Sequence, residues 1–154
     1  MTTLHLGELD QPYAYDNNGQ TTGDVAEALE QRYGLFSAFV NMNEDAISQQ
    51  VENSLEGAFE TMFMTGQFSR LGAFNTATSG IEDLFRTAID MRAYDGRLKG
   101  VPTRAAQMGV RHSKKNPFGR WRGRGKNKHF EPWPPRASFF DTGLLSSSFR
   151  AWVD

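Results

Sequence analysis

The chain has 154 residues, 38% of them hydrophobic, with twelve Phe, three Trp and fifteen Gly, enough for one domain with a modest core and a good share of loop. It has no cysteine, which excludes disulfides, thiolate metal sites and thiol catalysis, and no apolar run approaches the roughly 18 residues of a membrane helix. The formal net charge of −1 is a cancellation between segments: residues 1–96 carry four basic residues against fifteen acidic ones, and residues 97–136 carry twelve basic residues against the single acid Glu131. Such blocks attract one another when copies pack head to tail, and the basic one also attracts phosphate.

Residues 1–22 are polar and turn-rich and read as an N-terminal arm with at most a short strand. The opening MTTLHLGELDQ lacks the basic flank and apolar core of a signal peptide, so a soluble protein made in a cytoplasm is expected. Residues 24–96 form the helical part. VAEALEQR at 25–32 reads as a short helix opened by Thr22 or Asp24 and closed by Gly34. LFSAFV at 35–40 fits a buried strand or a continuation of that helix.

Ile47, Val51, Leu55, Phe59, Met62 and Phe63 recur every three or four residues, which predicts a helix from about Asp45 to Met64 with those side chains on one face. Glu52, Glu56 and Glu60 are assigned to another, solvated or salt-bridging face, and Gly66 to the C-terminal cap. The Phe and Met stripe reads as core or subunit contact. Residues 65–80 read mostly as loop, after which Ser79 and Glu82 form a capping box. Ile81, Leu84, Phe85, Ala88 and Ile89 then line a second amphipathic helix that fades before Gly96, with Glu82 and Asp83 in its first turn.

Residues 97–137 read as a long basic loop or extended hairpin that cannot build a core alone. Within it Arg111, Lys114, Lys115, Arg120, Trp121, Arg122, Arg124, Lys126 and Lys128 are the candidate contact residues. Cations for phosphates, aromatic rings for stacking and glycines for close approach are what a nucleic-acid segment uses. The same residues equally suit an acidic protein neighbour, which the chain itself supplies, and a plain solvated loop would need neither.

The remaining chemistry is sparse. His5, His112 and His129 have no second histidine at ligand spacing, so no metal is expected. Residues 138–154 contain Ser146, Ser147 and Ser148, which lack the G-x-S-x-G frame and the base of a nucleophile. Asp141 or Thr142 is expected to cap a turn, with Gly143 allowing close backbone approach and Leu144 and Leu145 anchoring it. Phe149, Ala151 and Val153 alternate with Arg150 and Trp152, the pattern of a half-buried strand. No catalytic residue, cofactor or metal is assigned.

RASFFDTGLLSSSFRAWV at 136–153 resembles the D-T-G-x-L-x-x-S signature of phage tail-completion or neck proteins, at Asp141, Thr142, Gly143, Leu145, Ser148 and Phe149. The specific match covers about 18 residues, and the layout of long helix, basic loop and Thr-Gly-x-Leu turn agrees over perhaps 110. The segment before Asp45 has no counterpart in that pattern, and the family carries further strands beyond the turn. The resemblance implies a non-enzymatic virion structural protein at the head-tail joint. Its implied partners are other copies in a ring and neighbouring neck, tail or baseplate proteins, without a membrane, and DNA contact by the basic arm is the alternative. The expected fold is a single α+β domain: two amphipathic helices on a small, mainly antiparallel sheet that includes the C-terminal strand, plus the basic arm.

Overall fold

Helices account for most of residues 22–90, and the caps explain where each begins. The computed structural model describes every residue except 1, 14–18, 70–71, 112–113 and 141–142. Strand β1 (Leu4–Glu8) precedes helix α1 (Thr22–Tyr33). The N-cap of α1 is Thr21, one residue before the expected Thr22, and Asp24, the other candidate, is its reciprocal capping-box partner. Thr22 is instead fully buried, its hydroxyl donating to the Leu9 carbonyl at 2.6 Å and accepting from the Gln11 amide at 2.9 Å. Gly34 closes α1 in the left-handed conformation, as expected.

Helix α2 (Leu35–Thr65) starts at the ambiguous apolar run, which is therefore helix, with Leu35 and Phe39 fully buried. Asn43 has non-helical backbone angles (φ −123, ψ 17) and its side-chain amide donates to the Phe39 carbonyl at 2.8 Å. A side chain bonding into the helical ladder accounts for a kink there. Glu30 supplies the free amides at the start of α2 with an acceptor, taking hydrogen bonds from Phe36 N at 2.7 Å and Ser37 N at 3.3 Å. Partial burial pulls its carboxyl upward, but the Ser37 hydroxyl and these two amides more than offset that and hold it below its usual value.

The expected loop over 65–80 is largely helix. Helix α3 (Gly72–Asp90) begins two turns before Ser79, so Ser79 is an exposed mid-helix residue and Glu82 and Asp83 are not in a first turn. Ser69 performs the cap, its hydroxyl accepting from Gly72 N at 3.1 Å. Ala73 and Ala77 extend the buried stripe of Ile81, Phe85, Ala88 and Ile89 backwards. These small residues let α3 approach α2 closely enough for the buried Ser54 hydroxyl to donate to the Ala73 carbonyl at 2.6 Å. Gly80 serves the same approach, since a Cβ there would lie 2.3 Å from the Gln50 side chain.

The core forms where α2, α3 and the C-terminal strand β4 (Phe149–Val153) meet. The Phe85 and Phe149 rings stack at 4.1 Å between centroids, and Phe39 meets both edge-on, at 5.2 and 5.7 Å. Each such ring contributes about 1.5–3 kcal/mol by burial, with roughly 0.5–1.5 kcal/mol more from a well-placed aromatic partner. Strand β4 pairs antiparallel with β1, Leu4 opposite Val153 and Glu8 opposite Phe149. The N-terminal segment is thus a sheet strand, and the alternation expected for β4 is present, with Phe149 and Ala151 buried and Trp152 exposed. The protein is a small α+β fold with two two-stranded antiparallel sheets among its described residues.

The basic segment is only partly an arm. Its first portion docks on the body through the buried Val101, a member of the core cluster, and leads into a short helix α4 (Arg104–Gln107) capped by Thr103, around which Ala106 and Val110 are also buried. Arg136 returns to it, donating from its amide to the Ala106 carbonyl at 3.0 Å and from Nε to the Val110 carbonyl at 2.7 Å. Beyond this clasp, β2 (Gly119–Arg122) and β3 (His129–Pro132) form the second sheet, an antiparallel hairpin.

Candidate functional site

The hairpin carries six of the nine residues singled out for contact, while Arg111, Lys114 and Lys115 precede it, and the nine fall into groups with different surroundings. Its register pairs Arg120 with Glu131, Trp121 with Phe130 and Arg122 with His129. Side chains alternate between faces of a strand, so one face holds Arg120, Arg122, His129 and Glu131, and the other holds Trp121 and Phe130.

On the charged face the Nε atoms of Arg120 and Arg122 both lie 2.9 Å from the same Glu131 oxygen. The hydrogen bond from Arg120, opposed by slight desolvation and assisted by the charges of Arg120, Arg122 and His129, holds the Glu131 carboxyl below its usual value. Trp133 extends this face as a shelf, with the guanidinium of Arg120 5.5 Å and that of Arg111 5.7 Å from its ring centroid. The indole N–H donates to the Asn116 carbonyl at 3.0 Å. Three of the nine contact candidates, Arg111, Arg120 and Arg122, are therefore committed to holding the hairpin itself.

On the other face Trp121 and Phe130 meet edge-on at 5.4 Å, and Trp121 remains 65% exposed. Two aromatic rings here contact each other and water rather than a core. Around the turn, which includes the 3-10 residues Gly125–Asn127, Arg124, Lys126 and Lys128 are exposed. Among the described residues, no carboxylate is placed within ion-pair distance of these three or of Lys114 and Lys115. The arrangement is an aromatic platform rimmed by uncommitted cations, suited to grip an anionic surface that also offers something to stack on.

The C-terminal turn is a structural device. Asp141 and Thr142 lie outside the described residues. Gly143 sits at φ 77 before a one-turn helix α5 (Leu144–Ser148), and Leu145 is buried. The three serines each bond back to a carbonyl one turn earlier: Ser146 to Gly143 at 3.1 Å, Ser147 to Leu144 at 2.9 Å and Ser148 to Leu145 at 3.0 Å. Ser148 is fully buried and its Oγ also lies in hydrogen-bond contact with Glu8 Oε2 across the β1–β4 sheet.

That contact was not legible in the sequence, where Glu8 and Ser148 are 140 residues apart. Burial pushes the Glu8 carboxyl from 4.5 to about 7, against the lowering effects of the Ser148 hydrogen bond and the Arg150 charge. A hydroxyl has one proton, and Ser148 Oγ has two acceptors nearby, the Leu145 carbonyl and Glu8. Protonating Glu8 resolves the conflict, because the carboxyl then donates to Ser148. The other oxygen, Glu8 Oε1, is buried without a hydrogen-bond partner, which adds to the cost of ionisation.

A pH dependence follows. The folded pKa lies above the unfolded value, so stability from the neutral form is complete below about 4.5 and is lost as pH rises through about 7. Allowing for solvent screening at a partly exposed group, the loss is on the order of 1–2 kcal/mol. Urea unfolding of wild type and Glu8→Gln at about pH 5 and about pH 8 isolates this group as the difference between the two pH profiles. Superimposable profiles would remove Glu8 as the cause.

Glu8 also borders a cleft of about 530 Å³ between β1, α1 and the start of α2, lined by Leu6, Ala26, Phe36 and Val40 among others. Its nearby carboxylate Glu30 is occupied in capping α2. Among the described residues, no group of three or more His, Cys, Asp or Glu is placed to hold a metal ion, and no helix is long and apolar enough to cross a membrane. His5 is engaged with Asp154 at 3.1 Å and stacked on Trp152, while His129 lies exposed in β3 and His112 lies outside the described residues. No protein-family model, curated protein or solved structure matches this chain.

Proposed function

We propose that the chain is a non-enzymatic structural protein of a bacteriophage virion that assembles as a ring at the head-tail joint through subunit–subunit contacts. The observation that carries this reading is the segregation of charge onto different parts of the fold. Uncommitted cations cluster around an exposed hairpin, while α2 presents Glu44, Asp45, Glu52, Glu56 and Glu60 to solvent. One copy therefore offers both halves of an attractive contact on separate surfaces, the condition for head-to-tail assembly. The resemblance of residues 136–153 to tail-completion and neck proteins supports the placement at the head-tail joint, and a tail or baseplate position belongs to the same class.

Triple reversal Arg124→Glu, Lys126→Glu, Lys128→Glu tests it without disturbing Arg120 and Arg122, which Glu131 needs for the hairpin. Wild type is expected to form a discrete oligomer by size-exclusion chromatography with light scattering, and the variant to remain monomeric with unchanged circular dichroism. The competing nucleic-acid function uses the same cations and predicts a wild-type monomer that binds duplex DNA. Three lost phosphate contacts would lower the slope of log affinity against log salt by about 2.7. Monomeric wild type with that salt signature would replace the assembly reading.

A further inference from the structure

The surface carries two aromatic patches of similar make-up and opposite charge. The first lies on the C-terminal half of α2, where the buried Ser54 marks the side packed on α3. Phe59 and Phe63 lie off that side, each three residues beyond a glutamate, Glu56 and Glu60 respectively, and so next to them on the helix surface. Phe59 is 48% exposed and Phe63 82% exposed, with Met64 at 87% beside them. Phe68, just past the helix end, stacks on Phe59 at 6.3 Å between centroids and is itself exposed. Single exposed apolar side chains are ordinary, but four within ten residues make a patch of the kind that marks an interaction site.

The second patch is the hairpin face of Trp121 and Phe130, with Arg124, Lys126 and Lys128 around its turn. We infer that these patches are the two halves of one joint between copies of this chain. Trp121 and Phe130 of one copy seat on Phe59 and Phe63 of the next, and the three turn cations face Glu52, Glu56 and Glu60. The inference rests on the self-assembly proposed above and adds to it the receiving surface. Complementarity selects a second copy as occupant. The acidic Phe patch requires an aromatic partner bearing positive charge, and the hairpin is one; a phosphate backbone would be repelled from it.

Such a joint uses a different patch on each side, so it propagates head to tail until it closes as a ring. Large aromatic side chains at the centre supply most of the affinity, and the surrounding charges steer the approach and fix register. That division of labour also explains why the aromatic residues are exposed on both patches while the cations and carboxylates remain separate in the single chain.

The experiment uses full-length Trp121→Ser and Phe63→Ser chains, both changed at exposed positions, with circular dichroism confirming the fold. Each variant alone is expected to weaken self-association roughly thirtyfold or more, leaving the mass of one chain, 17.3 kDa. An equal mixture is expected to form a one-to-one pair and stop, because each variant keeps one intact half of the joint. Wild type that assembles while both variants assemble equally well overturns the joint and leaves self-assembly standing. A mixture that stays monomeric also overturns the joint. Wild type that is monomeric at every concentration overturns the self-assembly reading itself, and the joint with it.

Discussion

Phe85→Ala should cost about 3–5 kcal/mol, the range for removing a fully buried aromatic ring from a packed core. Phe85 has no exposed surface and is the ring on which the others converge: Phe149 stacks on one side, Phe39 meets it edge-on, and Phe36 stacks at 5.5 Å. These partners come from α2 and β4, so the truncation loosens the only described place where helices and C-terminal strand share a core. Against a typical total stability of about 5–15 kcal/mol, that loss brings the domain close to unfolding at ambient temperature. Phe85→Leu keeps more of the volume and should cost less. Urea unfolding of the two variants beside Phe63→Ala, at concentrations where every chain is monomeric, provides the scale, since the last residue is exposed in the single chain and should shift stability by no more than about 0.5 kcal/mol. A Phe85→Ala domain as stable as Phe63→Ala would mean that the aromatic cluster is not the core.

The contrast between these two phenylalanines also shows where sequence periodicity stops being informative. Both recur at helical spacing with other apolar residues, Phe85 in the apolar stripe of its helix and Phe63 in a stripe that reads as core or subunit contact. For Phe85 the expectation holds because Ile81, Ala88 and Ile89 surround it at the same spacing and are buried with it. Phe63 is adjacent on the helix surface to Glu56, Glu60 and Phe59, and a residue at that position follows the acidic side into solvent. Spacing of three or four residues spans a wide arc, so Met62 and Phe63, neighbours in the sequence, could not both share the centre of one stripe.

The start of α3 is hidden in the sequence for a related reason. Ala73 and Ala77 carry the stripe there with the least apolar surface of any core residue, and the surrounding Ser, Thr, Asn and Gly favour loops when taken alone. Tertiary packing against Ser54 and Gln50 decides the conformation, and those contacts cross about twenty to thirty residues of sequence. The C-terminal strand was legible because its alternation is local and complete. Its partner β1 was not, since five half-buried residues far away in the chain reveal a pairing only once β4 is placed beside them. The basic composition of the contact segment was plain in the sequence. Its division was not: Arg120 and Arg122 are spent on Glu131, which lies opposite them only through the hairpin register.

Gly109→Ala should detach this hairpin from the body while leaving the helical core in place. Gly109 has φ 66, and a Cβ at that position would lie 2.4 Å from the Trp133 carbonyl oxygen and 2.5 Å from that of Pro134. Backbone oxygens cannot rotate away as a side-chain tip can, so the segment at 133–134, just past β3, has to move. That movement draws Trp133 from beneath Arg111 and Arg120, and strains the neighbouring clasp from Arg136 to Ala106 and Val110. The left-handed backbone alone costs an alanine about 1–2 kcal/mol, and the overlap should raise the total for docking to roughly 3 kcal/mol or more. Gly125→Ala is the matched control, with φ 58 but no atom within 4 Å of the new Cβ, and carries the backbone cost only. In limited proteolysis, Gly109→Ala should therefore expose 111–136 to cleavage at least about tenfold faster than Gly125→Ala does. The nicked complex, with the C-terminal piece carrying β4 still bound, should keep α1 to α3 protected, because Phe39, Phe85 and Phe149 pack without any help from the hairpin. Equal cleavage rates in the two alanine variants would show that the 109–133 contact does not hold the hairpin, and its orientation on the body would have to come from the Arg136 clasp alone.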